Sequence, residues 1–285
     1  MRLPGRVSAA IEILTEILER HRPASEALRD WGRAHRFAGA GDRHAIGTLV
    51  YDTLRHKASA AHRMGNGAPR SLVLATLAST WGMSARDIAA LADGQHGPAE
   101  MSAAEMEALA REQGHAPVHV AGDFPQWLAP SLTRVFADDA ALEGAALAQR
   151  APIDLRANTL KADCAKVLAA LQRFGAEPGP LAPTAIRIAA PGPEQKHVSV
   201  EAEPSHGMGW FEVQDAASQI AAALTCVKPG ERVADICAGA GGKTLALAAL
   251  MENKGVIIAH DRDRHRLRPI FERIGRSGAT NIEVL

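Results

Sequence analysis

The residues best suited to binding a ligand lie in one stretch, from Asp235 to Thr244, which reads Asp-Ile-Cys-Ala-Gly-Ala-Gly-Gly-Lys-Thr. Its three glycines allow the backbone to approach a ligand closely and to adopt dihedral angles that a β-carbon would forbid. The residues on either side predict a short buried strand over 232–236 and a helix from Leu245 to Met251. The first amides of such a helix point towards negative or polar ligand groups.

A second apolar run, residues 256–259, leads to the carboxylate of Asp261, 22 residues after Gly239. Strand, glycine turn, helix, strand and acid follow one another in the order of a βαβ nucleotide-binding unit. In such a unit the acid accepts hydrogen bonds from the ribose hydroxyls of the ligand. The pattern therefore predicts a site for a nucleoside-containing ligand.

Spacing separates the ligands that this loop could take. A phosphate-binding P-loop needs a glycine where Cys237 stands, and a dinucleotide fingerprint needs its third glycine where Thr244 stands. An adenosine ligand without phosphates, such as S-adenosylmethionine, fits better, with Asp235 and the turn amides at its amino-acid end and Asp261 on its ribose. A glycine turn that only packs a helix on a sheet, with no ligand, remains an alternative.

The motifs around the loop carry a resemblance. They are Leu-Arg-Ala-Asn-Thr-Leu-Lys at 155–161, Val-Gln-Asp-Ala-Ala-Ser-Gln at 213–219, Lys-Pro-Gly at 228–230, the loop itself, and Asp-Arg-Asp-Arg-His-Arg-Leu at 261–267. In this order they resemble the Nop/Sun family of RNA cytosine-C5 methyltransferases, and within it the bacterial ribosomal RNA enzymes. The resemblance covers residues 152–285 well and the first 145 residues loosely. The family often has Ala-Pro where this chain has Gly239-Ala240, a departure that adds flexibility.

The resemblance implies S-adenosylmethionine as cofactor and RNA, ribosomal rather than transfer RNA, as partner. It implies that the cofactor is lined by Cys237, Ala238, Gly239, Ala240, Gly241, Gly242, Lys243 and Asp261.

The methylation of cytosine C5 that the resemblance implies needs a catalytic cysteine, which we do not find in this sequence. A cysteine thiolate adds to C6 of cytosine, so that C5 can take the methyl group, and a base then removes the C5 proton. The family places that cysteine, and a second one that helps to release the product, in Pro-Cys and Thr-Cys motifs after the fourth and fifth strands, beyond Leu285. We assign no catalytic residue, because Cys226 precedes the loop, Cys237 belongs to it and Cys164 belongs to a helical edge. The chain is therefore predicted to be the N-terminal part of a longer enzyme, inactive alone, with a non-catalytic RNA-binding or regulatory module as the alternative.

Three regions are predicted, two of them from the periodicity of apolar residues and from a change in sequence pattern. Residues 1–145 read as an all-α domain, which resembles the NusB-like RNA-binding domain of the family's ribosomal RNA enzymes. Residues 152–208 read as a small α+β region that, by resemblance, helps to form an RNA channel. Residues 209–285 read as the first part of an α/β class I, Rossmann-like methyltransferase domain, with about three of its seven strands.

Local signals predict the ends of several elements. Ser25 and Asp42 are predicted to cap the second and third helices, and Asp215 a later one. One long helix is predicted over 131–150. Pro269 is expected to kink the arginine-rich segment that follows Asp261.

Composition excludes several classes of protein. The chain has 285 residues, of which 47% are hydrophobic and 22% charged, and it contains no apolar run long enough to cross a membrane. Three widely spaced cysteines indicate neither a disulfide framework nor a zinc site, which predicts a reducing, cytoplasmic setting. His115 and His119 are four residues apart, but Pro117 lies between them and no third ligand is apparent, so no metal is predicted. We expect a monomer.

Charge is distributed unevenly although the net charge is zero. Residues 1–70 contain 12 Lys and Arg against 7 Asp and Glu, which suits either RNA phosphates or a solvated helical face. Arg156 and Lys161 are candidates for phosphate contact. The six arginines at 262, 264, 266, 268, 273 and 276 either flank an RNA backbone or form a solvated face.

Overall fold

The structure is a computed structural model that describes residues 1–92, 96–112, 114–192 and 198–285. The chain forms two compact units. The first is Met1–Arg150, and the second consists of Ala151–Pro191 and the described residues from 198 onwards. No helix among the described residues is long and apolar enough to span a membrane.

The first unit is helical throughout its regular structure. Its helices are α1 (Leu3–Leu18), α2 (Ala24–Ala34), α3 (Ala40–Arg55), α4 (Lys57–Met64), α5 (Pro69–Ser79), α6 (Ala85–Ala89), α7 (Ala103–Ala110), α8 (Val118–Ala121), α9 (Ala129–Phe136) and α10 (Ala140–Ala148). Helix α5 is the centre of the core, since a continuous run of its residues is buried, and α1 and α3 pack on it. The apolar stripe predicted on the first helix supplies Val7, Ile13 and Leu14 to this core.

Two of the predicted caps in this unit are wrong by a few residues. Helix α2 already begins at Ala24, so Ser25 lies inside its first turn and makes no cap. Helix α3 begins at Ala40, with Gly39 as the capping residue. The Asp42 carboxylate instead lies in the first turn and accepts the Gly39 N–H at 3.3 Å. A capping side chain accepts amides of the first helical turn, whereas Asp42, from within that turn, accepts the amide of the capping residue, so it supports the helix start from a different position.

The single helix predicted over 131–150 is two helices, α9 and α10. Ala137 takes a φ of +48°, which an α-helix cannot contain, and the chain re-enters a helix only at Ala140. The apolar periodicity continues across the break, which is why the sequence reads as one element.

The second unit contains one antiparallel sheet. Its strands are β1 (Ile153–Ala157), β2 (Glu177–Pro178), β3 (Ala185–Ile188) and β4 (Phe211–Val213), in the order β2-β3-β1-β4. Helices α11 (Cys164–Leu171), α12 (Pro204–Gly207) and α13 (Ala216–Ala223) accompany it. Leu155, Ile186 and Phe211 form a core with α11. Asp215 caps α13 as predicted, because its carboxylate accepts the Ser218 N–H.

A parallel sheet of three strands forms the rest of this unit. The order β5-β6-β7 follows the chain, with β5 (Arg232–Asp235), β6 (Val256–Ala259) and β7 (Ile282–Val284). Helix α14 (Gly242–Leu250) connects β5 to β6, and α15 (Arg264–Leu267) and α16 (Ile270–Ser277) connect β6 to β7. Pro269 separates the last two helices, at the kink predicted for it. Strand β5 is only half-buried rather than buried, because within the described residues it pairs with β6 alone.

Candidate functional site

The glycine loop joins the carboxyl end of β5 to the first turn of α14. Asp235 is the last residue of β5 and pairs in register with Ala259 of β6. Its carboxylate accepts a hydrogen bond at 2.7 Å from the Thr244 hydroxyl, one turn into α14. Helix α14 begins at Gly242, three residues before the predicted start, so that the amides of Gly242 and Lys243 belong to its open N-terminal turn.

Asp261 lies beyond the end of β6 and holds the loop from the other side. One of its carboxylate oxygens accepts the Gly239 N–H at 2.8 Å, and the other accepts the Asp263 N–H at 2.9 Å. The hydrogen bonds from Asp263 and then Gly239 lower the pKa of Asp261, so the group stays ionised. Each carboxylate oxygen has two lone pairs, so this acid retains acceptor capacity for hydroxyl groups of a ligand.

Gly241 is required where the loop meets α16. Its φ is +83°, and a β-carbon built on it would lie 2.4 Å from Cγ1 of Ile270. Gly239 also has a positive φ, of +50°, but a β-carbon there would find its nearest neighbour at 3.8 Å. A positive φ therefore favours glycine at both positions, and close packing demands it only at Gly241.

A cavity of about 240 Å³ opens beside the loop. It is lined by Val213, Gln214, Asp215, Ser218, Asp235, Cys237, Ala238, Gly242, Lys243 and Arg273. Two carboxylates and two cations therefore face one small space at an open helix terminus. Such a lining suits a ligand that carries a positive and a negative group side by side.

An ionic network that the sequence did not reveal lies behind this cavity. The Glu212 carboxylate is 1% exposed and binds both Arg273, at 2.8 Å, and Arg276, at 2.9 Å. Across the antiparallel sheet Glu212 stands opposite Arg156, whose Nε donates to Gln214 at 2.6 Å. The only sequence signal for Glu212 was the alternation of apolar and polar residues along β4. Such a pattern cannot predict Arg273 and Arg276 as partners, because they lie 61 and 64 residues away.

Arg156 does not fit the predicted role of an exposed phosphate contact. It is 5% exposed, and its burial lowers the pKa of the guanidinium to about 10. Lys161 is exposed and remains a candidate for phosphate contact. Of the six arginines after Asp261, four are exposed. Arg273 and Arg276 instead bind Glu212, which differs from both predicted roles, the contact with an RNA backbone and the solvated face.

The three cysteines singled out in the sequence differ in exposure and in their position relative to the loop. Cys226 and Cys237 are exposed, and burial raises the pKa of the Cys164 thiol, which disfavours its thiolate. Of these, only Cys237 lines the cavity by the loop. Within the described part of the chain, no group of three or more His, Cys, Asp or Glu side chains could hold a metal ion.

A larger cavity, of about 860 Å³, lies in the first unit between the start of α1 and the end of α2. Its wall carries three rings in contact: Trp31 stacks on His35 at 4.2 Å between centroids, and Phe37 meets His35 edge-on at 5.7 Å. Phe37 is 71% exposed. Arg2, in the lining, and Arg36, beside Phe37, are exposed, and neither forms an ion pair with another described residue.

Comparison with known proteins assigns two parts of the chain to one family. Residues 222–285 match the family described as 16S rRNA methyltransferase RsmB/F. Residues 124–195 match a domain described as RsmF/B-like, ferredoxin-like. Both regions are thus similar to RsmB/F proteins. The match confirms the resemblance to Nop/Sun methyltransferases, and the second RsmB/F region begins in the helices that precede β1.

Curated relatives carry consistent names. A probable ribosomal RNA small subunit methyltransferase B from Synechocystis sp. is 33% identical over 138 residues, which are 48% of this chain and 30% of the relative. A human 28S rRNA (cytosine(4447)-C(5))-methyltransferase is 32% identical over 133 residues, 46% of this chain and 16% of the relative. The chain thus spans a third or less of the length of these RsmB/F relatives.

Solved structures agree with this assignment. A methyltransferase homologue from Pyrococcus horikoshii is 28% identical, with a TM-score of 0.51, over 59% of this chain and 54% of its own. The structure of PH0851 matches all of this chain and 69% of its own with a TM-score of 0.66; at 23% identity it supports the fold alone. The helix-rich chain with its sheets is therefore similar to methyltransferase structures.

Proposed function

We propose that this chain carries the methyl-donor site of an RNA methyltransferase that modifies C5 of cytosine in ribosomal RNA. The observation that carries the proposal is the glycine loop, held between Asp235 and Asp261, within a region of the RsmB/F family. The names of the relatives support the substrate, since they act on ribosomal RNA of the small or the large subunit.

S-adenosylmethionine is the cofactor that the lining fits. Its amino-acid end carries an ammonium and a carboxylate, which match the two carboxylates and two cations of the small cavity. Asp235 and the loop amides would hold that end, and the Asp261 carboxylate would accept from the ribose hydroxyls. Cys237, Ala238, Gly239, Ala240, Gly241, Gly242 and Lys243 would line the rest. When bound, the cofactor supplies an electrophilic methyl group on its sulfonium sulfur.

The covalent step requires a cysteine that we do not assign to this chain. In the proposed reaction a thiolate adds to C6, the C5 carbon takes the methyl group, and loss of the C5 proton with release of the thiolate restores the ring. The target base must leave its stack to reach a buried site. Burial raises the pKa of the Cys164 thiol, Cys226 precedes the glycine loop and Cys237 belongs to it, so we assign this role to none of the three.

The first unit would bind the RNA. The three-ring wall of its large cavity offers surfaces for base stacking, and the exposed Arg2 and Arg36, which form no ion pair with another described residue, offer phosphate contacts. The excess of basic residues over 1–70 supplies the long-range attraction. The proposal thus assigns the RNA-binding role predicted for the helical region to the large cavity of the first unit.

Titration calorimetry with S-adenosylmethionine tests the proposal. The intact chain is expected to bind the cofactor, and Asp261→Asn to bind it at least about tenfold more weakly, because hydrogen bonds to a charged group contribute about 1.5–3 kcal/mol. Glu283→Gln, an exposed acid on the neighbouring strand β7, is the matched control and should bind normally. An intact chain that binds RNA but takes up no cofactor would instead identify a non-catalytic RNA-binding module.

A further inference from the structure

Arg273 connects the glycine loop to the buried carboxylate of Glu212. Its Nη1 donates to the Ala240 carbonyl at 2.8 Å, while Nε and Nη2 donate to one oxygen of Glu212 at 3.1 and 2.8 Å. Three of the donors of one planar guanidinium are therefore engaged, one on the loop and two on the acid. Neither the resemblance nor the motif pattern pointed to Arg273.

The bond to Ala240 fixes a peptide plane that would otherwise rotate easily. The Ala240 carbonyl and the Gly241 N–H belong to the same peptide group, and the Gly241 N–H donates to the Ala238 carbonyl at 2.8 Å. Both ends of this peptide dipole are thus held. This plane turns about bonds of Ala240 and Gly241, and Gly239 precedes Ala240, so glycines with free backbones surround it and loss of one hydrogen bond would release it.

Arg273 is itself held firmly. It follows Ile270 by one helical turn on α16, and Ile270 is the residue that closes on Gly241. The Glu212 carboxylate is buried and also binds Arg276, so Arg273 is one of two cations that neutralise it. Arg276 lies in the same network, but no hydrogen bond joins it to the loop among the described contacts.

We infer that Arg273 is a positioning residue: through the Ala240 carbonyl it presets the loop between Ala238 and Gly242 for the methyl donor. Glu212, from the antiparallel sheet, orients the guanidinium for this task. The inference rests on the proposed function for its consequence, cofactor affinity, but the positioning itself is a property of the chain without ligand.

Amide hydrogen exchange of the full chain without cofactor tests the positioning. Arg273→Lys keeps a charge for Glu212, but an ammonium lacks the fork that reaches both partners. Exchange of the amides between 238 and 242 should accelerate about tenfold or more, as expected when a hydrogen bond between a charged donor and the backbone is lost. The melting temperature should change little, because the packing of Ile270 is retained. If the lysine variant does not fold, Arg273→Gln combined with Glu212→Gln, which removes the buried negative charge together with its partner, serves the same test.

Arg276→Lys is the matched control, since it alters the same carboxylate network without touching the loop. We expect its loop exchange and its calorimetric affinity for S-adenosylmethionine to match those of the parent chain, while Arg273→Lys weakens that affinity about tenfold. Equal loosening in both variants, or in neither, would overturn the inference. A parent chain that binds no cofactor would refute the proposed function, and the exchange data would still decide the role of Arg273.

Discussion

Gly241 is the residue at which the loop tolerates the least change. It combines a φ of +83° with a β-carbon position 2.4 Å from Ile270, so two independent causes exclude a side chain. Other glycines of the same helical neighbourhood are under no such constraint: a β-carbon on Gly275, within α16, would meet nothing within 4 Å. The chain therefore offers a matched pair of substitutions at the residue scale.

Gly241→Ala should destabilise the chain, whereas Gly275→Ala should stabilise it. A strained backbone conformation costs on the order of 1–3 kcal/mol, before the clash with Ile270 is added. Alanine in place of glycine inside a helix is favourable by roughly 0.5–1 kcal/mol. Urea denaturation measures both changes in the free energy of unfolding. Equal stability of the two variants would show that the loop relaxes freely and that its geometry is not imposed by α16.

At the scale of elements, Asp42 ties the start of α1 to the first turn of α3. Its carboxylate accepts from the N-terminal ammonium at 2.8 Å and from the Arg6 guanidinium at 2.8 Å. The hydrogen bonds from the N-terminus and then from Arg6 lower the pKa of Asp42 to about 2. The folded chain thus favours the ionised carboxylate more than the unfolded chain does.

The stabilisation from Asp42 should depend on pH. Because the folded pKa is depressed, the contribution is complete above the ordinary pKa of 3.8 and is lost as the pH falls towards about 2. Asp42→Asn should therefore lower the free energy of unfolding at pH 7 and make no difference near pH 2. Asp138→Asn, at an exposed acid of the same unit, is the control. A pH-independent difference between parent and Asp42→Asn would contradict the assignment.

The N-terminal turn of α14 illustrates an element whose boundary depends on its surroundings. The sequence placed the start at Leu245, because the glycine-rich stretch through Thr244 reads as a turn. In the structure Gly241 has a left-handed conformation, α14 starts immediately after it, and Thr244 is fixed by Asp235. The earlier start places Gly242 and Lys243, which line the cavity, in the first turn of α14.

At the scale of the whole molecule, the RNA proposal concerns the first unit, whose cavity is lined by rings and cations. Phe37→Ala should weaken binding of a short single-stranded RNA by about fivefold or more, since stacking of one base contributes about 1–3 kcal/mol. Fluorescence anisotropy of a labelled oligonucleotide on the intact chain, at several salt concentrations, measures this change. Phe37 is so exposed that its removal should leave the fold intact.

Trp127→Ala is the matched control for Phe37→Ala. Trp127 is 76% exposed in the same unit but does not line the cavity. It should leave RNA affinity unchanged, while affinity for both variants falls as salt rises, because phosphate contacts release counterions. If both aromatic substitutions weaken binding alike, the RNA does not use the cavity.

Some features of this protein followed from sequence alone. The alternation in Ile153–Ala157, the apolar runs before and after the glycine loop, and the cap at Asp215 all act over a few residues, so local pattern suffices to predict them. The sequence motifs around the loop were enough to indicate the family. The helix break at Ala137 and the exact starts of α2 and α3 were missed, because packing can override a periodic signal.

The tertiary structure decided what surrounds the loop. The sequence assigned Asp261 to the ribose of a ligand, and only the structure shows that its carboxylate also accepts the Gly239 N–H. Only folding brings Arg273 to the Ala240 carbonyl and joins it to Glu212, 61 residues earlier in the chain. The same folding buries Arg156, which the sequence offered as a surface cation. A motif shows which groups are available, whereas long-range packing determines which of them come into contact. The reason is that a buried charge is costly unless a partner stabilises it.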